Sequence, residues 1–221
     1  MSKIKDYIED IPGAERRFLN NPVTIEKRVN EEPNDDGLFE IEGYAFKFNT
    51  RANLGWFEEE ILTEAAEDER LQDDIRCLFN HSPNKILARS KKGQGTLKLV
   101  FDQVGLKYSY KTPKRSYAID LQDSIEKGDV DQSSFAFLTK EDRWIERDGD
   151  IPLRQIAKFK QIFDVAPVTY PAYPDASVAK RSLTSYKEEQ NPDDNKSEEE
   201  KRASSLDVFE AQYLYNQNSK R

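Results

Sequence analysis

Turn-forming residues cut this chain into short runs of alternating apolar and polar side chains, and that two-residue period restricts it to a strand-built fold. Val23, Ile25, Lys27 and Val29 alternate with Thr24, Glu26, Arg28 and Asn30, which predicts a half-buried strand. The connector Asn30 to Gly37 is rich in turn residues. A return strand follows through Leu38, Phe39, Ile41, Tyr44, Phe46 and Phe48, with Gly43 at a bulge position. Ile75 to Phe79 reads as another strand, and Thr96 to Phe101 with Leu106 to Tyr110 as a hairpin around Asp102-Gln103-Val104-Gly105. Gln132 to Leu138 is strand-like. Trp144 and Ile145 face Ile151 and Leu153 across the turn Arg147-Asp148-Gly149-Asp150, and Ile156 to Thr169 is long and rich in β-formers.

Before residue 185, helical spacing occurs in two places. Thr63 to Asp73 has Thr63 as an N-cap, and Ser116 to Lys127 carries Tyr117, Ile119, Leu121 and Ile125, with Gly128 to end it. The expected class is α+β: a mostly antiparallel, partly closed β-barrel flanked by two or three helices. Residues 1–21, broken by Pro12 and Gly13, read as a flexible N-terminal arm, and residues 22–185 as the folded domain. Residues 186–202 form a disordered acidic linker, since Lys187 to Arg202 holds seven acids against four bases and no large apolar side chain. Residues 203–221 place Leu206, Phe209, Tyr213 and Leu214 at helical spacing, a short amphipathic helix suited to docking on a partner.

Composition removes several functions. A net charge of -8 argues against binding a phosphate backbone, so nucleic acid is not an expected partner. One cysteine, Cys77, allows no internal disulfide, and with one histidine it builds no ordinary zinc site; an intracellular protein without metal or cofactor is expected. The first residues lack a signal-peptide core, and no run approaches the ~20 apolar residues of a membrane span.

His81 is the only histidine, so any imidazole chemistry near neutral pH falls to it. On its own a lone histidine is more often an incidental residue than a catalyst. The most suggestive nucleophile is Ser134, in Asp131-Gln132-Ser133-Ser134-Phe135-Ala136-Phe137. In a strand Ser133, Phe135 and Phe137 share one face, leaving Ser134 beside small Ala136 on the other, where a peptide can approach. Asp164 is a carboxylate in apolar sequence, and burying it without a partner costs several kcal/mol, so it faces water or meets a donor such as an imidazole N–H. Asp120 is the alternative acid. Cys77 is a rival nucleophile only if Cys77 to His81 is helical, because an extended chain separates them by roughly 13 Å. No glycine-rich phosphate loop, G-x-S-x-G elbow or HExxH helix is present.

Several segments together resemble the prohead (capsid maturation) protease family of tailed bacteriophages, whose fold is similar to the herpesvirus assemblin serine proteases. They are IEGYAFKFN (Ile41 to Asn49), the FNHS and ILARS segments (Phe79 to Ser90), GTLKLVFDQVGLKY (Gly95 to Tyr108), SSFAF (Ser133 to Phe137) and DVAPVTYPAYPDASVAKR (Asp164 to Arg181). The resemblance implies His81 as base, Ser134 as nucleophile and Asp164 as third member, with Arg154 a helper near the site. It implies a serine endopeptidase that cleaves phage scaffold and major capsid proteins, and itself, inside the assembling prohead in the cytoplasm of an infected bacterial cell, with self-association a further expectation. The chain departs from the family pattern in having Ala136 between the two Phe, Asp164 and Ala166 in place of Glu and Ser, and Thr63-Glu64-Ala65-Ala66 for a G-A-F segment. The alternative is a catalytically silent protein of the same fold that serves as a capsid scaffold or assembly partner.

Overall fold

A computed structural model of the 221-residue chain describes residues 11–18, 26–27, 38–169 and 183–184. The chain divides into two units after Arg181, and the strands belong to the first. The acidic linker and C-terminal helix expected beyond residue 185 lie outside the described residues, as does most of the strand expected from Val23.

The strands are β1 (Ala14–Phe18), β2 (Glu26–Lys27), β3 (Glu40–Lys47), β4 (Ala52–Asn53), β5 (Glu58–Ile61), β6 (Ile75–Leu78), β7 (Ile86–Lys91), β8 (Gln94–Gly95), β9 (Leu97–Phe101) and β10 (Gly105–Lys111). Helix α1 (Ser116–Glu126) comes next, and β11 (Gln132–Ile145) and β12 (Leu153–Val168) complete the set. The pairing corrects the barrel expectation. Among the described residues the strands form two sheets, one ordered β1-β11-β12-β6-β7-β8 with β4 and β5 attached through β12, the other β2-β3-β10-β9.

The long hairpin of β11 and β12 organises the larger sheet, with Ile145 opposite Leu153 at its turn and Gln132 opposite Val168 at its open end. Most pairs are antiparallel, but β12 runs parallel to both β5 and β6. β12 buries residues on both faces, most completely over its final stretch Asp164–Val168. The core lies where the sheets meet: Phe46 of β3 stands 4.8 Å from Phe135 and 5.3 Å from Phe159, ring centre to ring centre, and Phe137 stacks on Phe135. Fully burying each such ring contributes roughly 1.5–3 kcal/mol. Gly105 allows β10 to close on β3, since a Cβ there would fall 2.0 Å from the Phe46 carbonyl oxygen.

Helix α1 ends as expected, at Gly128 with φ +79°. It buries Ala118, Leu121 and Gln122 and leaves Ile119 exposed, and the Gln122 side chain accepts the Phe39 N–H to tie the helix to the start of β3. The single helix expected over 63–73 is instead two 3-10 turns, Thr63–Ala65 and Asp68–Gln72. Extended Glu67 separates them, and Thr63 caps nothing because the chain enters the first turn through Leu62. Among the described residues of the first unit, α1 is the one α-helix, with 3-10 turns at Thr63–Ala65, Asp68–Gln72 and Phe79–His81 beside it.

The expected flexible arm also needs correction. Ala14–Phe18, inside residues 1–21, is a strand paired along β11 from Leu138 to Ser134, with Glu15 and Arg17 buried. Buried ion pairs anchor it, a long-range effect that five residues after a Pro-Gly turn do not announce.

Candidate active site

Three segments distant in sequence converge at one end of the larger sheet. β6 runs parallel to β12, pairing Cys77 with Val165, and then gives way to the turn Phe79–His81. Asn80 and His81 both adopt left-handed backbone, φ +52° and +54°, a conformation costly for non-glycine residues and tolerated best by asparagine. Asn80 is held there by Thr169, whose N–H donates to Asn80 Oδ1 at 2.9 Å while Asn80 Nδ2 donates to Thr169 Oγ1 at 3.0 Å. The turn directs the His81 ring back over β11 and β12.

Those strands supply the other two groups. Ser134 lies opposite Ala166 and Asp164 opposite Ala136, so serine and aspartate sit two residues apart on adjacent strands. Small Ala136 and Ala166 leave room for the imidazole between them. His81 Nδ1 is 2.7 Å from Asp164 Oδ1, and His81 Nε2 is 2.6 Å from Ser134 Oγ. Asp164 and Ser134 are fully buried, and His81 is 8% exposed. With the ring proton on Nδ1, donated to the carboxylate, Nε2 is free to accept the serine proton. The structure thus brings His81, Ser134 and Asp164 into one hydrogen-bonded line.

The other candidates lie elsewhere. Asp120 is on the exposed side of α1. Cys77 is wholly buried, and burial, reinforced by the Asp164 carboxylate, holds its thiol well above the ordinary range and therefore neutral. Arg154 belongs to a buried charge cluster: it pairs with Glu15 at 2.7 Å, Glu59 at 3.0 Å and Asp142 at 2.5 Å. Arg17 pairs with Glu15 and, at 2.5 Å, with Glu59. Burial alone would raise the Glu15 carboxyl, but Arg17 and Arg154 outweigh it and bring its pKa down to about 2. Among the described residues no three His, Cys, Asp or Glu side chains gather as a metal site.

Sequence reasoning missed the neighbour of Ser134 on its open side. That serine face is not vacant, because β1 runs beside it and sets the Arg17 carbonyl 3.1 Å from Ser134 Oγ, a second acceptor for the one hydroxyl hydrogen that His81 Nε2 faces at 2.6 Å. The Asn80–Thr169 clasp was also missed, although an asparagine just before the only histidine is the residue a left-handed turn favours.

Hydroxyl, imidazole and carboxylate in series, on a strand-rich α+β fold, are the parts from which serine-type proteases are built. The family model of the caudovirus prohead serine proteases matches residues 24–190, so the chain belongs to that family, the phage proteases of capsid maturation. Among solved structures the chain is similar to the capsid assembly protease gp21 of bacteriophage T4, with a TM-score of 0.40 and 11% identity over 72% of this chain and 96% of that one. No curated protein matches.

Proposed function

We propose that the chain is a serine endopeptidase that cleaves scaffold and major capsid proteins, and itself, during maturation of the prohead in the infected bacterial cytoplasm. The observation that carries this reading is the continuous hydrogen-bonded line Ser134–His81–Asp164 in a buried site. Ser134 Oγ attacks the peptide carbonyl carbon while its proton passes to His81 Nε2. Asp164 accepts the Nδ1–H, fixes the tautomer and stabilises the imidazolium that forms. Collapse of the tetrahedral intermediate breaks the C–N bond, and His81 gives its proton to the leaving amine. Water, activated by the same imidazole, then hydrolyses the ester and restores the hydroxyl.

Burial assists each step, because charge on the imidazolium and carboxylate interacts more strongly where water is excluded. Wild type and Ser134→Ala are co-expressed with the cognate scaffold and capsid proteins and the products weighed. Processing by wild type and none by the variant is expected; processing that persists in Ser134→Ala sinks the nucleophile, and none in either favours a catalytically silent assembly partner.

A further inference from the structure

β1 precedes residue 24, where the family match begins, yet it is the strand laid against the nucleophile. In the larger sheet the order begins β1-β11, so β11 without β1 would be an edge, its outer N–H and C=O groups open for pairing. Adding an extended peptide to such an edge is a general way for a sheet to capture a substrate backbone. β1 meets the requirements of that position. It is antiparallel to β11, runs from Leu138 towards Ser134, and brings the Arg17 carbonyl oxygen within 3.1 Å of Ser134 Oγ. The residue whose carbonyl meets the nucleophile is the one a protease holds on the acyl side of the bond it cuts.

The Arg17 side chain occupies a pocket suited to a cation. Its Nε and Nη2 donate to the two carboxylate oxygens of Glu59 at 2.5 and 3.1 Å, a bidentate fit, and its guanidinium lies 5.7 Å from the Phe137 ring centre. Without β1, the charged walls are Glu59, Asp142 and Arg154, two carboxylates against one guanidinium. That surplus negative charge favours a cation over a neutral guest.

We propose that Ala14–Phe18 is a built-in pseudosubstrate, occupying the β11 edge on which a substrate backbone docks, and that the Glu59 pocket holding Arg17 selects arginine at the residue before the cut. This rests on Ser134 being the nucleophile. The Arg17 carbonyl competes with His81 for the one hydroxyl hydrogen of Ser134, and a tethered strand outcompetes free peptide through its high effective concentration. The site stays closed until β1 is displaced.

The test uses the full chain and a fluorophosphonate probe, with the labelled residue located by mass spectrometry. Arg17→Ala removes the anchor. Because it also leaves buried Glu15 and Glu59 without that guanidinium, the double variant Glu15→Gln/Arg17→Gln serves as a second one that removes both anchoring charges of β1 together and leaves Glu59 paired with Arg154. Circular dichroism verifies the fold of each. The folded variant is expected to label at Ser134 about tenfold faster than wild type, or more. It is also expected to cleave the aminocoumarin peptide Ala-Glu-Arg-Arg at least about tenfold better, in kcat/KM, than Ala-Glu-Arg-Leu. Equal or slower labelling at Ser134 overturns the pseudosubstrate and leaves the nucleophile standing. Faster labelling without a preference for arginine overturns the pocket. No labelling of Ser134 in any folded chain overturns both this inference and the nucleophile on which it rests.

Discussion

Asn80 and Thr169 clasp each other through two hydrogen bonds, joining the turn that carries His81 to the strand end that follows Asp164. The clasp holds His81 beside Asp164, the proposed base and acid, although 83 residues separate them. Asn80→Ala removes both bonds and places alanine at φ +52°. Each lost bond and the left-handed backbone cost about 1 kcal/mol apiece. Asn80→Gly relieves the backbone but not the clasp. The expected outcome is that glycine recovers part of the lost thermal stability while both variants show lower kcat on a peptide substrate, the proposed role being to align the ring.

Asp164→Asn keeps the volume of the side chain but presents an amide to His81 Nδ1, favouring the wrong tautomer. In the well-studied serine protease triad that change costs about 10⁴ in kcat, and a loss of that order is expected here. Asp120→Asn, on the exposed side of α1, leaves kcat within about twofold. Steady-state kinetics on the two variants separates the acids.

The proposed chemistry gives Cys77 no role. A thiol that is wholly buried and held neutral reacts slowly with aromatic disulfides, so the native chain is expected to titrate with Ellman's reagent only as fast as it opens, and fully in denaturant. Cys77→Ala should retain proteolysis per folded molecule.

The Glu15 carboxyl titrates at about 2 in the folded chain, below its ordinary value of 4.5, because Arg17 and Arg154 overcome the opposing effect of burial. A depressed folded pKa contributes stability that is complete above pH 4.5 and is lost as pH falls towards 2. Thermal unfolding across this window should show wild type losing more Tm than Glu15→Gln. Parallel curves for the two chains would mean that the charge cluster does not anchor β1.

Local signals made much of the fold legible. Alternation located the β9–β10 hairpin and β3, helical spacing with Gly128 located α1, and the β-formers at 156–169 marked most of β12. The site was legible chiefly through the order of the family-like segments, since alone His81 reads as an incidental residue, Asp164 is one of 42 acids, and Ser134 is one of two serines ahead of Phe135 and Phe137. What escaped depends on long-range pairing. β1 is specified by Glu59, Arg154 and the β11 edge, all at least 40 residues away, and the 63–73 segment is split by tertiary packing although its composition favours helix. The division into two sheets likewise rests on which strands meet, a matter that alternation within a strand leaves open.

The most direct measurement of the central claim is the mass of the chain after exposure to diisopropyl fluorophosphate, with the adduct mapped by peptide sequencing. One adduct on Ser134 is predicted, absent in Ser134→Ala and strongly slowed in His81→Ala because Nε2 at 2.6 Å no longer takes the proton. An adduct that persists in Ser134→Ala, or labelling of Ser134 that is indifferent to the loss of His81, would contradict the account.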